Sequence, residues 1–336
     1  MKIAVISQSG PIDFLAPRRG PWSFFFEQLE MSGHKVVRLK DKPEAYISMN
    51  HHPSTRRLYD LEIPKKNRVL ILWEPKVTRP VNFDRQAQSK YGKVFSPSHM
   101  WPSSREMTEY FNWPQGEPTA TLPPDEQWNQ RLDVLLAVQS NKYSFVKGEL
   151  YSLRRKFYLE SKVDFHLYGG GWNEIGLLLK NISKAGFGYL AHKSGLEHSH
   201  SQYILGGFRK SKGKVENKFN LMRRYKYSLV LENSRDYVSE KLFESIACGT
   251  LPIYVGPRLS EFGIPDTVAL QVEPSVEGIK SGYQQLRDDF TLSQSILREI
   301  REFLVSKEFL QHRNDIVLAK LARRISLYLE ENCVKK

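Results

Sequence analysis

Residues 225–257 read YKYSLVLENSRDYVSEKLFESIACGTLPIYVGP, and the reading of this stretch decides the fold. The apolar run Tyr227–Leu231 predicts a buried strand, and Glu232–Tyr237 a polar loop. Leu242, Phe243, Ile246 and Ala247 recur at i, i+1, i+4 and i+5, which is one stripe of a helix. Gly249 stands where a helix C-terminus takes a left-handed residue, and Pro252 opens the next strand. The unit is strand, loop, helix, strand. Ligands of such units sit outside the carboxyl ends of the strands. A helix start there offers free N–H groups and a positive dipole end to a phosphate. Glu240 and Lys241 fall in that first helical turn, off the apolar stripe. Lys241 suits neutralisation of a diphosphate, and Glu240 can accept hydrogen bonds from sugar or ribose hydroxyls.

The same alternation extends outward. Upstream, Val134–Val138 and Val163–Leu167 read as strands, with a polar turn at 139–142 and a helix from Phe145 to Tyr158. The YGGGW run at 168–172 predicts a tight turn, and residues 293–329 are helical by period. In the first half, Ile3–Ile6, His34–Leu39, Ala45–Ser48 and Val69–Trp73 predict strands, with an amphipathic helix over Trp22–Met31. Its aromatic cluster, Trp22 to Phe26, reads as core. Apolar strands separated by helix-length segments imply parallel sheets covered on both faces. The Pro-rich, aperiodic stretch from Trp113 to Asp125 is the best linker. The expectation is two α/β domains, 1–130 and 131–336, Rossmann-like and facing each other across a cleft.

The chain's 336 residues exceed one comfortable core. With 40% hydrophobic and 26% charged residues the composition is globular. Fifty basic against 37 acidic side chains leave +13, a charge that favours anionic partners. The basic residues are spread rather than gathered in a tail, and no stacked-aromatic RNA signature is present, so no nucleic-acid partner is expected. Two cysteines exclude a disulfide framework and imply a reducing compartment. The N-terminal apolar run is too short for a signal peptide or span. A cytoplasmic location follows as the expectation, with peripheral attachment to an anionic inner membrane face as a variant of it.

The elements YKY, LENS, YVSEK and GTLPI, in that order within 225–253, resemble the signature of the α1,3/α1,4-fucosyltransferases, glycosyltransferase family 10. Ser140-Asn141 after a strand, and Val163-Asp164 leading to Tyr168-Gly169, are similar to upstream elements of that family. The resemblance covers 135–257 and implies a GT-B fold and inverting transfer of L-fucose from GDP-fucose to a glycan hydroxyl. No obligatory metal is implied, and the sequence lacks the Asp-x-Asp pair that would hold one; Asp288-Asp289 has the wrong spacing. Donor-binding residues carried over are Asn141, Arg209, Asn233, Tyr237, Glu240 and Lys241. Cations must then stabilise the leaving diphosphate. The base is expected from the N-terminal half: Glu74, at the end of the Val69–Trp73 strand, or His99. The acceptor, an oligosaccharide or lipid-linked glycan, is not specified. Two alternatives stay open: a GT-B transferase with another nucleotide sugar, and a non-catalytic basic binding protein. The pairs His51-His52 and His198-x-His200 lack zinc-site spacing and read as surface polar groups.

Overall fold

The computed structural model describes residues 1–6, 22–51, 63–101, 107–113, 125–172, 179–183, 185–186 and 211–333. The chain forms two units, Met1–Pro114 with Gln311–Lys336, and Gln115–Leu310. The division falls inside the Pro-rich stretch expected as a linker. The tail, however, belongs to the first unit and not to the second, where 131–336 had placed it. Its last helix, Asn314–Cys333, buries Leu318, Leu321, Ala322, Ile325 and Leu329 in the core of the first sheet, beside Phe25 and Leu29. An amphipathic stripe specifies that a helix packs, but not on which core.

The first unit holds six parallel strands: β1 (Lys2–Ile6), β2 (Lys35–Val36), β3 (Ala45–Met49), β4 (Arg68–Ile71), β5 (Lys93–Ser96) and β6 (Thr108–Tyr110), in the order 2-1-3-4-5-6. The central strands are apolar on both faces because both are covered; β3 is buried throughout. The expected strand over 34–39 shrinks to two residues. It lies at the sheet edge, and a 3-10 turn over Leu39–Asp41 takes the chain away, held by Arg38 N–H donating to the Asp41 carboxylate. Helix α1 (Ser23–Met31) buries Phe25, Phe26 and Leu29 as expected. Trp22 instead lies against Trp73, with ring centroids 4.6 Å apart.

The second unit holds β7 (Leu132–Val138), β8 (Phe165–Tyr168), β9 (Tyr225–Leu231), β10 (Leu251–Val255) and β11 (Leu270–Gln271), also all parallel, in the order 8-7-9-10-11. Counted from β7, this is again 2-1-3-4-5, the doubly wound pattern in which the strand order reverses between the first and third strands. Helix α2 (Tyr151–Glu160) starts six residues later than expected. Its start is set by Glu149, whose carboxylate accepts from the Ser152 N–H at 2.9 Å and its hydroxyl at 2.6 Å, and by Leu150 N–H bonding the Asn233 carbonyl. Helix α3 (Lys218–Met222) leads into β9, and helix α4 (Glu240–Ala247) fits the expected bounds, with Leu242, Phe243 and Ile246 buried. Gly249 takes φ +61°, the left-handed residue that ends it. Truncating Leu242 or Ile246, both fully buried, would cost about 2–5 kcal/mol.

Candidate functional site

The switch point of the second sheet lies between β7 and β9, where the following connections diverge and leave a crevice at the carboxyl edge. A cavity of about 390 Å³ occupies it. Its wall comes from the end of β7 (Val138, Gln139, Ser140, Lys142), the turn after β8 (Gly169, Gly170), Asn233 after β9, and Glu240 and Lys241 at the start of α4. Arg154 of α2, Lys214, Val215 and Lys218 complete it. Among the described residues, five cationic side chains and one carboxylate line it. Gly169 is required here: at φ +136°, a Cβ would stand 2.2 Å from the Gln139 carbonyl oxygen, so only glycine lets these two strand ends approach.

Among the donor-binding candidates, Asn233, Glu240 and Lys241 are brought together on the cavity wall. Tyr237 is not part of it. It is buried, and its hydroxyl accepts from the Asn233 amide, so it stands behind Asn233 and orients it. Asn141 is also buried, its side chain donating to the Gly171 carbonyl at 3.1 Å and its backbone N–H to Gly170. It fastens the end of β7 to the glycine turn and lies behind Ser140 and Lys142, which do line the cavity. Arg209 lies outside the described residues.

The helix start is already furnished with an anion from the chain itself. Glu232, fully buried, accepts from the Ser239 backbone N–H at 2.9 Å, from the Ser239 hydroxyl, and from Lys241 Nζ at 3.0 Å. Lys241 also donates to Ser239 Oγ at 2.6 Å. Its charge is therefore shared with Glu232. Sequence reasoning placed Glu232 in a polar loop and missed this role; the available signal was an acid directly after the apolar strand end Leu229–Leu231. Lys218 pairs with Glu244, whose carboxyl is pushed up by burial and drawn part of the way back by that ammonium. Glu240 keeps solvent access yet is hemmed in by neighbouring atoms. Desolvation would raise its pKa, but Lys241, Lys218, its own backbone N–H and Lys142 together hold it below the ordinary carboxylate range. An acid kept ionised among cations accepts hydrogen bonds from hydroxyls and leaves the cluster net positive.

The carboxyl edge of the first sheet carries the other two candidates. Glu74 follows β4 and His99 follows β5. Asn50, just after β3 and at φ +65°, is fully buried. Its side-chain oxygen accepts from Trp73 N–H at 2.7 Å, Glu74 N–H at 2.9 Å and Asn82 Nδ2 at 2.6 Å. Asn82 returns a bond to the Glu74 carbonyl at 3.2 Å and accepts from the His51 N–H at 2.9 Å. The Glu74 backbone is thus pinned by two buried amides. Burial lowers the Arg79 pKa against the opposing charge of Glu74, so the two side chains interact. His51 is buried, its ring bonded to the Tyr91 hydroxyl at 3.0 Å; it is a core residue and not the surface group expected. His99 is exposed. Trp73 stacks on Trp113 at 4.5 Å, and with Trp22 they form a partly exposed aromatic cluster next to Glu74. Among the described residues, no group of His, Cys, Asp and Glu is arranged to hold a metal, and no helix is long and apolar enough to cross a membrane.

No protein-family model matches the chain. Over 60 residues it is 45% identical to a fucosyltransferase-like protein of Arabidopsis thaliana, a match covering 17% of this chain and 12% of that protein. Three solved structures are similar along nearly the whole chain. HepE of Anabaena in complex with UDP and glucose has a TM-score of 0.56 at 10% identity, over 97% of this chain and 100% of that one. Sucrose-phosphate synthase from Thermosynechococcus elongatus has 0.56 at 11%, over 99% and 100%. An α1,3-fucosyltransferase with GDP has 0.51 at 12%, over 98% and 90%. At these identities the likeness is one of fold. The chain has the GT-B-type glycosyltransferase fold of two Rossmann-like units. Within it lies a short segment like that of a fucosyltransferase-like protein.

Proposed function

We propose that the chain is a glycosyltransferase that binds a nucleotide sugar in the cavity between β7 and β9 and passes the sugar to a glycan hydroxyl. The observation that carries this reading is the cavity itself: Lys142, Arg154, Lys214, Lys218 and Lys241 line a switch-point crevice with Glu240 as the one acid among the described residues. A diphosphate matches that charge, and Glu240 matches the hydroxyls of a ribose or sugar. The ligands of similar structures, UDP with glucose and GDP, support a nucleotide-sugar donor. The fucosyltransferase-like segment favours GDP-fucose among donors.

For an inverting transfer, Glu74 takes the proton of the acceptor hydroxyl as its oxygen attacks the anomeric carbon. The bond from that carbon to the phosphate oxygen breaks, and the nucleoside diphosphate leaves with the electron pair. The cations spread its developing charge, a task that needs no metal. Glu74 is preferred over His99 because its backbone is pinned by Asn50 and Asn82, and a base works best when positioned. The acceptor is an oligosaccharide or a lipid-linked glycan. The +13 charge suits attachment to an anionic membrane face, which liposome pelleting at low and high salt would test. A donor-hydrolysis screen across GDP- and UDP-sugars, with calorimetry of GDP and UDP, tests the central claim. Turnover of GDP-fucose above all others is expected. Binding of none of them rejects the reading.

A further inference from the structure

Four of the chain's six tryptophans gather at the carboxyl edge of the first sheet. Trp22 stands at the start of α1, and Trp73, Trp101 and Trp113 follow β4, β5 and β6. Their rings meet one another. Trp22 lies on Trp73 at 4.6 Å between centroids, and Trp73 stacks on Trp113 at 4.5 Å with the planes 29° apart. Trp113 in turn meets Trp101 edge to face at 6.4 Å. Trp101 is buried, while the other three rings stay partly exposed. The remaining tryptophans, Trp128 and Trp172, are both buried in the second core. Apolar rings exposed together, unlike scattered ones, mark a place where something binds.

The backbone beneath the rings is held. Asn50 Oδ1, which accepts from the Glu74 N–H, accepts from the Trp73 N–H as well. Phe111, buried two residues before Trp113, donates its N–H to the Ser96 carbonyl at 3.0 Å, and Asn112 Nδ2 donates to the Gln311 carbonyl at 3.1 Å. A face built in advance costs little ordering when a ligand arrives. Its chemistry selects the occupant. An indole face is electron-rich, so it attracts cations and polarised C–H bonds and repels anions. A cationic guest is disfavoured by Lys76 and Arg79, carried on the turn after Glu74 that the Thr78 and Arg79 N–H groups close on the Pro75 carbonyl. A neutral pyranose fits, because it buries a face of C–H bonds on the ring and leaves its hydroxyls at the rim.

We propose that the Trp73–Trp113 stack is the subsite for a neutral hexopyranose of the acceptor glycan, which docks by its C–H face. The proposal rests on the glycosyltransferase reading and gives the acceptor a chemical class. Because one buried amide oxygen fixes both Trp73 and Glu74, the stacked sugar and the base share a single frame.

The probes are methyl β-glucoside, methyl β-galactoside, methyl α-mannoside and methyl β-glucuronide, followed by saturation-transfer NMR with irradiation of the aromatic protons. The two neutral β-glycosides have an unbroken set of axial C–H bonds on one face, and those protons should receive the saturation. The α-mannoside, with an axial oxygen on each face, and the anionic glucuronide should receive little. Trp113→Leu keeps an apolar side chain without a π face and should weaken β-glycoside binding about three- to tenfold, the worth of one aromatic stack. Trp113→Phe should recover most of that, and calorimetric affinity for GDP or UDP should be the same in both variants as in wild type. Should the leucine variant not fold by circular dichroism, the wild-type saturation pattern decides alone. Equal saturation of all four glycosides, saturation of none, or folded Trp113→Leu with wild-type glycoside affinity overturns the assignment. Trp113→Leu that loses liposome binding with no change toward glycosides overturns it too and makes the rings a membrane contact. Nucleotide binding without glycoside binding removes the subsite and leaves the donor reading intact. Glycoside binding without nucleotide binding keeps a sugar site and removes the transferase reading.

Discussion

The two sheets share one strand order but differ at their carboxyl edges. At the second sheet, charged side chains gather: among the described residues, five cations and one acid surround the crevice between β7 and β9. At the first, the described loops carry buried amides and aromatic rings, with Asn50 and Asn82 pinning Glu74 and Trp73 stacked on Trp113. The difference teaches that one topology can serve two tasks. A cation cluster holds a polyanion. A rigid amide network holds a single carboxylate in place among apolar rings, which suits the base proposed for the acceptor hydroxyl.

The largest effect should come from the first edge. Glu74→Gln keeps the backbone bonds to Asn50 and removes the carboxylate proposed as the base. Turnover should fall by about 10²–10⁴ while donor affinity by calorimetry is unchanged. Full activity in that variant would break the comparison and move the base elsewhere, with His99→Ala the next variant to assay.

At the second edge, Lys241→Met strips the fully buried Glu232 of its cation. Breaking such a pair should cost about 3 kcal/mol in urea unfolding, and donor affinity should drop as well. Adding Glu232→Gln removes the stranded charge and should return most of the stability. Donor affinity should stay low. If it recovers with stability, Lys241 only supports the fold.

Asn50→Gly preserves the left-handed backbone but removes the oxygen that accepts from Trp73, Glu74 and Asn82. A loss of about 1–3 kcal/mol is expected, together with a fall in kcat at unchanged donor affinity. Asn50→Asp, which retains the acceptor, should lose less. Equal losses in the two variants would mean that the amide network does not position Glu74.

The smallest effect is in the acid limb of stability. The folded-state pKa of Glu240 is depressed, so its contribution is present above the ordinary carboxylate pKa and disappears as pH falls through the lower folded value. Glu240→Gln should therefore lower stability slightly at neutral pH, match the wild type at pH below the folded value, and so flatten the acid limb of the stability–pH curve. A curve that stays as steep would assign the acid limb to other carboxylates, such as Asp266, held at about 2 against burial by bonds from Gln271, Ser260 and Arg258.

What the sequence by itself determined is local. An apolar run, a helical stripe and a glycine at the helix end were enough to place β9, α4 and β10, and with them Asn233, Glu240 and Lys241, because neighbouring residues and backbone propensity set such units. Only the tertiary structure decided what those residues meet. Lys142, Arg154, Lys214 and Lys218 share the cavity because β7 lies next to β9, an adjacency that no spacing in the chain encodes. Tyr237 moved behind Asn233, and Asn141 behind the cavity wall, because a polar side chain beside a strand end serves either a ligand or the backbone, and burial chooses. The tail helix joined the first unit for the same reason. Its stripe fixes an apolar face, and the core that covers it is selected by the packing of the whole fold.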